Sequence, residues 1–179
     1  MRRQRRLLCA LLVLAAAFPV VANTANTLTF TPPATGSFAV TLDGTDKVGS
    51  YSLAIPVSYT SSSSNLFATN GWHITATSTT LKGTSTLKTL ATTASKITGF
   101  PANPTCTIPT CSLPANTVAY PVTIPAATVA PTPITVYSAR ANTGAGGNTV
   151  TMQVSVAVPA NTFADTYKST MTLAIIEGP

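Results

Sequence analysis

The chain has 179 residues and a formal net charge of +6, yet only 8% of its residues are charged. Four of the ten basic residues (Arg2, Arg3, Arg5 and Arg6) stand at the N-terminus, so the remainder sets six basic against four acidic side chains. That excludes the electrostatic footprint of a nucleic-acid binder, and one histidine with two later cysteines is too small a ligand set for structural zinc.

The arginines precede an apolar run from Leu7 to Phe18 and then Val20-Val21-Ala22. A basic start, a short apolar stretch and small residues at a cleavage site predict a secretory signal peptide over residues 1–22. The run is too short to span a bilayer, which takes roughly 20 apolar residues. No later run approaches that length, so the mature chain is expected to have no membrane span. Residues 23–179 are left as a single domain, long enough to bury a core, and are expected outside the cell or at the envelope surface.

Asn26–Thr31 reads as a first strand, followed by the turn-formers Pro32, Pro33 and Gly36. It is either an ordinary edge strand or one able to detach and join a neighbour's sheet. Phe38, Val40 and Leu42 alternate with small or polar residues, Asp43-Gly44 opens a turn, and Tyr51, Leu53, Ile55, Val57 and Tyr59 alternate again. This predicts a hairpin with a longer loop. Pro56 within the second run predicts an edge position or a bulge. Asp43 and Asp46 flank Gly44 in the loop, a hint of calcium without the rest of a ligand set.

Ser61–Ser64 is a polar connection, and Trp72, Ile74 and Ala76 begin another strand behind Asn70-Gly71. His73 has the opposite parity and is expected to face solvent. Leu81, Leu87, Leu90 and Ile97 mark weaker elements. Cys106 and Cys111 lie in a proline-rich stretch and, in an exported protein, predict a disulfide that rigidifies one loop. Val118, Tyr120, Val122 and Ile124 alternate, and Ile134 and Val136 follow a proline-rich connection. Gly144–Asn148 reads as a hairpin turn before the cleanest alternation in the chain, from Val150 to Val158. After a corner at Pro159–Thr162, Tyr167, Met171, Leu173 and Ile175 share one face of a last strand. No segment after residue 22 has helical periodicity. Short strands with Gly, Pro and Asn punctuation predict an all-β, immunoglobulin-like antiparallel β-sandwich with Greek-key connections.

Two segments carry a family resemblance. Asn70-Gly-Trp-His-Ile-Thr-Ala-Thr-Ser-Thr-Thr-Leu81 is similar to the Gly-Trp-x-Leu-Thr-Ala strand of bacterial WxL surface domains, with Ile74 in place of Leu. Tyr167-Lys-Ser-Thr-Met-Thr-Leu-Ala-Ile-Ile-Glu-Gly-Pro179 resembles that family's closing Tyr-x-x-x-Leu-Thr-Trp-Thr-Leu, with Leu173 where the Trp stands. The corner from Pro159 to Tyr167 also resembles one in spore coat protein U-like and pilin-type secreted domains. The WxL resemblance implies a β-rich domain attached non-covalently to peptidoglycan in the cell wall, with Trp72, Ile74, Leu173 and Ile175 as its binding residues. The same i, i+2 spacing also fits the buried face of a strand.

Catalysis is not expected. His73 has no sequence-adjacent acid, no serine sits in a nucleophile elbow, and Asp43, Asp46, Asp165 and Glu177 read as turn and corner residues. The Gly144–Gly147 stretch lacks the lysine and following helix of a phosphate cradle. Two readings remain: a module that binds cell-wall polymer, and a structural subunit that self-associates by strand addition. Neither needs a metal or a cofactor.

Overall fold

The computed structural model describes residues 26–33, 35–62, 69–101, 104–106 and 111–178. The expected signal peptide, residues 1–22, lies outside them. Among the described residues the chain is all β, with strands and no helix.

The larger sheet is built on two long strands, β2 (Lys47–Thr60) and β10 (Gly146–Val158). They pair antiparallel without a break from Gly146↔Tyr59 to Val158↔Lys47. β1 (Thr27–Phe30) lies on the free side of β2. Along the other side of β10, β6 (Thr105–Cys106) and β5 (Ser95–Gly99) follow one another, and β7 (Val122–Thr123) adds to β5. The second sheet centres on β3 (Trp72–Thr79), flanked on one side by β12 (Met171–Glu177). On its other side lie β9 (Ile134–Ala139) and β8 (Ala126–Ala127). β4 (Lys82–Gly83) and β11 (Tyr167–Lys168) make a separate two-stranded ladder.

Strict alternation decides which side chains meet between the sheets. Ile55, Val57 and Tyr59 of β2 and Val150, Met152, Val154 and Val156 of β10 point inward and are buried. They pack against Trp72, Ile74 and Ala76 of β3 and Val136, Tyr137 and Ala139 of β9. β-branched side chains dominate these faces because they fill a pleated surface with little rotamer cost.

Five expectations are corrected. The β3–β8 contact, Ser78↔Ala126 and Thr79↔Ala127, is parallel, so the structure is not antiparallel throughout. Gly144–Asn148 is a crossover and not a hairpin turn, because β9 and β10 belong to different sheets and Gly146 already begins β10. The alternation from Val118 to Ile124 yields only the two residues of β7, in a segment holding Pro121 and Pro125, which have no amide hydrogen.

Pro56 causes neither a bulge nor an edge opposite β10, for the β2–β10 register runs straight across it. Its effect falls on the β1 side. Thr31 N–H donates to Pro56 O at 3.0 Å, and Pro56 has no N–H to return the bond. The β1 ladder therefore ends there, and Pro32 and Pro33 follow immediately.

The strand expected at Phe38–Leu42 has the right alternation but no ladder. The β1–β2 register, carried onward, places Gly36 opposite Tyr51 and Phe38 opposite Gly49. The side chains obey it: the Tyr51 ring covers Gly36 and the Phe38 ring covers Gly49, where a Cβ would lie 2.2 and 1.9 Å from the nearest ring carbons. The two rings stack at 6.2 Å. Residues 35–42 are thus held against β2 by rings over glycines, with no ladder between them among the described residues.

Candidate functional site

The larger sheet is longer than the smaller one. Where β3 ends at Thr79 and β12 begins at Met171, the far halves of β2 and β10 extend beyond the second sheet. An open cleft of about 1430 Å³ occupies this end. One wall is the 35–42 segment with Tyr51. The other is formed by the turn between Thr80 and Leu90 and the corner from Thr162 to Thr170.

The lining mixes two chemistries. Phe38, Tyr51, Leu81, Tyr167 and Met171 are half-buried and lean on the core. Leu87 and Phe163 stand 63% and 56% exposed at the mouth, and Lys88 Nζ lies 5.6 Å from the centre of the Phe163 ring. Leu87 has φ 57°, a left-handed backbone that a branched side chain seldom takes. Around these apolar groups runs a fringe of hydroxyls from Thr80, Thr89, Thr162, Thr166, Ser169 and Thr170.

Asp165 is the acid of the cleft, and its carboxylate is fully engaged. It accepts from Thr86 N–H (2.7 Å) and Oγ1–H (2.7 Å), Ser85 N–H (3.0 Å), Thr166 N–H (2.7 Å) and Thr84 Oγ1–H (3.2 Å). Those donors, the Thr86 amide foremost, hold its pKa far below the usual carboxylate range. A Cβ on Gly83 would lie 2.4 Å from Asp165 Oδ2, so only glycine admits the carboxylate there. The acid ties the corner to the β4 turn, and so held it is a poor proton acceptor.

The structure places each residue singled out from the sequence. Trp72 and Ile74 are completely buried. Trp72 stacks on Tyr137 at 5.2 Å and donates from Nε1 to Gly144 O at 3.1 Å. Leu173 and Ile175 are half-buried and pack against the same core. The two segments that carry the resemblance are paired neighbours, with Ile74↔Ile175 and Trp72↔Glu177. These four side chains therefore build the sandwich, because their strand parity points between the sheets, and none of them lines the cleft.

His73, expected toward solvent, is half-buried, and its Nδ1 lies 2.7 Å from Gly178 O. A carbonyl only accepts, so Nδ1 carries the proton in that contact. His73 sits five residues along β3 from Ser78 at the cleft, about 17 Å at strand rise. Asp43 and Asp46 are engaged by different partners. Asp43 caps its own loop through Thr45 and pairs with Lys47 at 2.7 Å, which lowers its pKa. Asp46 accepts from Ala160 N–H at 2.8 Å. Cys111 is disulfide-bonded; the side chain of Cys106 lies outside the described residues, and so does the expected pairing.

Glu177 ties the ends of the domain together. Its Oε1 accepts from Tyr59 Oη (2.7 Å), Asn70 Nδ2 (2.9 Å) and Asn26 Nδ2. The Tyr59 bond leads in pulling its pKa down.

Sequence reading missed the cleft because its walls come from three segments far apart in the chain, residues 35–42, 80–90 and 162–170. The one local signal was Phe163, a large apolar residue in a polar corner where no strand alternation calls for it. Comparison with protein-family models, with characterised proteins and with solved structures finds no match to this chain.

Proposed function

We propose that the protein is a secreted, non-catalytic binding module of WxL-like type. In this reading residues 1–22 direct export, the domain acts at the bacterial cell surface, and the cleft holds cell-wall polymer such as peptidoglycan. The observation that carries it is the make-up of the cleft: rings and aliphatic groups beside a fringe of hydroxyls, next to a carboxylate consumed by five donors. Sugar polymers are bound by such surfaces, with ring faces against apolar faces and hydroxyls exchanging hydrogen bonds. The pairing of the two WxL-like segments as adjacent strands supports the family likeness. An immunoglobulin-like, Greek-key topology belongs to the same reading. It is supported by the long excursion from β2 through the second sheet before β10 returns beside β2.

The test is sedimentation of residues 23–179 with and without isolated cell-wall sacculi. Pelleting only with sacculi, weakened by Phe163→Ala, is the expected result. A protein that stays in solution beside sacculi would refute the reading.

A second reading, a structural subunit assembling by strand addition, rests on one observation. Beyond Pro56 the edge of β2 carries no paired strand, only residues 35–42 held by side chains. A sheet edge without a ladder is a template for a further strand. It predicts that the protein pellets alone as concentration rises and that deleting residues 23–33 abolishes this.

A further inference from the structure

Two of the six basic residues after the N-terminal arginines line the cleft, and a third lies over the Phe163 ring at its mouth. Lys82 and Lys168 both line it and are exposed. They are also directly opposed partners across the β4–β11 ladder. Like charges in that position repel. Lys88 lies at the mouth, over Phe163. None of the three has an acidic partner among the described residues, where the one ion pair is Lys47–Asp43. The acid nearest by, Asp165, has five donors on a group with about four lone-pair positions. It has no acceptor left to offer a lysine. In a chain with so few charges, this is a concentration of unanswered positive charge beside a hydroxyl-rich wall.

We propose that the cleft is an anion-selective subsite for a phosphodiester-bearing polyol or sugar polymer. Lys82 and Lys168 bracket a phosphate, and the Thr and Ser hydroxyls and the Phe163 face take the intervening units. Lysine acts here as a point charge, for which a phosphate is a strong partner. The cross-strand repulsion present in the free protein is relieved when an anion sits between the two ammonium groups. This rests on the module reading above and narrows its ligand class.

The probe is fluorescently labelled poly(glycerol phosphate), followed by anisotropy against residues 23–179, with dextran and polygalacturonate as competitors. The wild type is expected to bind, more weakly as salt rises, and to release the probe to unlabelled poly(glycerol phosphate) but not to dextran. Lys82→Gln/Lys168→Gln should bind about 5- to 30-fold more weakly, the loss of two exposed charge contacts. Lys96→Gln, on β5 outside the cleft, should bind like the wild type. Equal losses in the two variants would overturn the proposal in favour of unspecific charge attraction. So would displacement by dextran or polygalacturonate as effective as by the phosphate polymer. Lysines that only keep an edge from pairing predict no binding at all, together with self-association of the double variant. Sacculus pelleting separates the levels: pelleting without poly(glycerol phosphate) binding overturns this inference alone, and failure of both overturns the module as well.

Discussion

Replacing Trp72 decides whether the family-like tryptophan is a core residue or a ligand contact. The side chain is 0% exposed, stacked on Tyr137 and hydrogen-bonded to Gly144 O. Trp72→Phe keeps a ring against Tyr137 but loses the N–H. The lost bond costs about 1 kcal/mol, and a buried carbonyl left without its donor adds about 1–3 kcal/mol. A total of about 2–4 kcal/mol is expected. Trp72→Ala removes the ring as well, and aromatic truncation in a core costs about 3–5 kcal/mol before the bond is counted. Against a total stability of about 5–15 kcal/mol, the alanine variant should be barely folded. Trp72 is the chain's one tryptophan, so urea unfolding must be followed by far-UV circular dichroism. With a urea slope of about 2 kcal/mol per molar, the Phe variant should unfold about 1–2 M earlier. A Phe variant that unfolds at the wild-type midpoint but no longer pellets with sacculi would refute the argument and make Trp72 a ligand contact.

Two further substitutions test other parts of the structure. Gly49→Ala pushes a methyl into the Phe38 ring and should cost about 1–3 kcal/mol in a thermal or urea melt. Phe38→Ala in the same chain should recover part of that loss, and strictly additive effects would show that the ring does not rest on Gly49. Asp165→Asn should lower stability near neutral pH and change its pH dependence. The carboxyl's pKa is depressed below its ordinary 3.8 by the donors around it. Its contribution is therefore complete above that value and is lost as pH falls through the lower folded-state pKa. The midpoint gap between wild type and Asp165→Asn should be constant from about pH 5 upward and shrink below about pH 4; a gap that widens in acid would be inconsistent with this cage.

The class of fold was legible because each long strand wrote its parity into the chain. Ile55, Val57 and Tyr59 in β2 and Val150, Met152, Val154 and Val156 in β10 alternate with small or polar residues, and those residues are buried as their parity requires. The same rule fails where backbone hydrogen bonds decide. Phe38, Val40 and Leu42 alternate just as well, yet they form no ladder beyond the point where Pro56 denies β1 its return bond. Pro56 was visible as a breaker, but its side of action was not. Which edge of β2 lacks the donor depends on which neighbour lies there, and that is a property of the assembled sheet.

The sequence by itself determined an all-β chain with a basic and then apolar N-terminal segment, one tryptophan on an alternating strand pattern, and few charges. Periodicity and composition are local, and those features are local. The tertiary structure alone decided that Gly144–Asn148 crosses between sheets, that Asp165 is consumed by the turn at Thr84–Thr86, and that Lys82 and Lys168 face each other beside Phe163. The physical reason is distance along the chain. Lys82 and Lys168 have no periodic relation that marks them as partners, and they become neighbours only when the two short strands pair beyond the end of the second sheet.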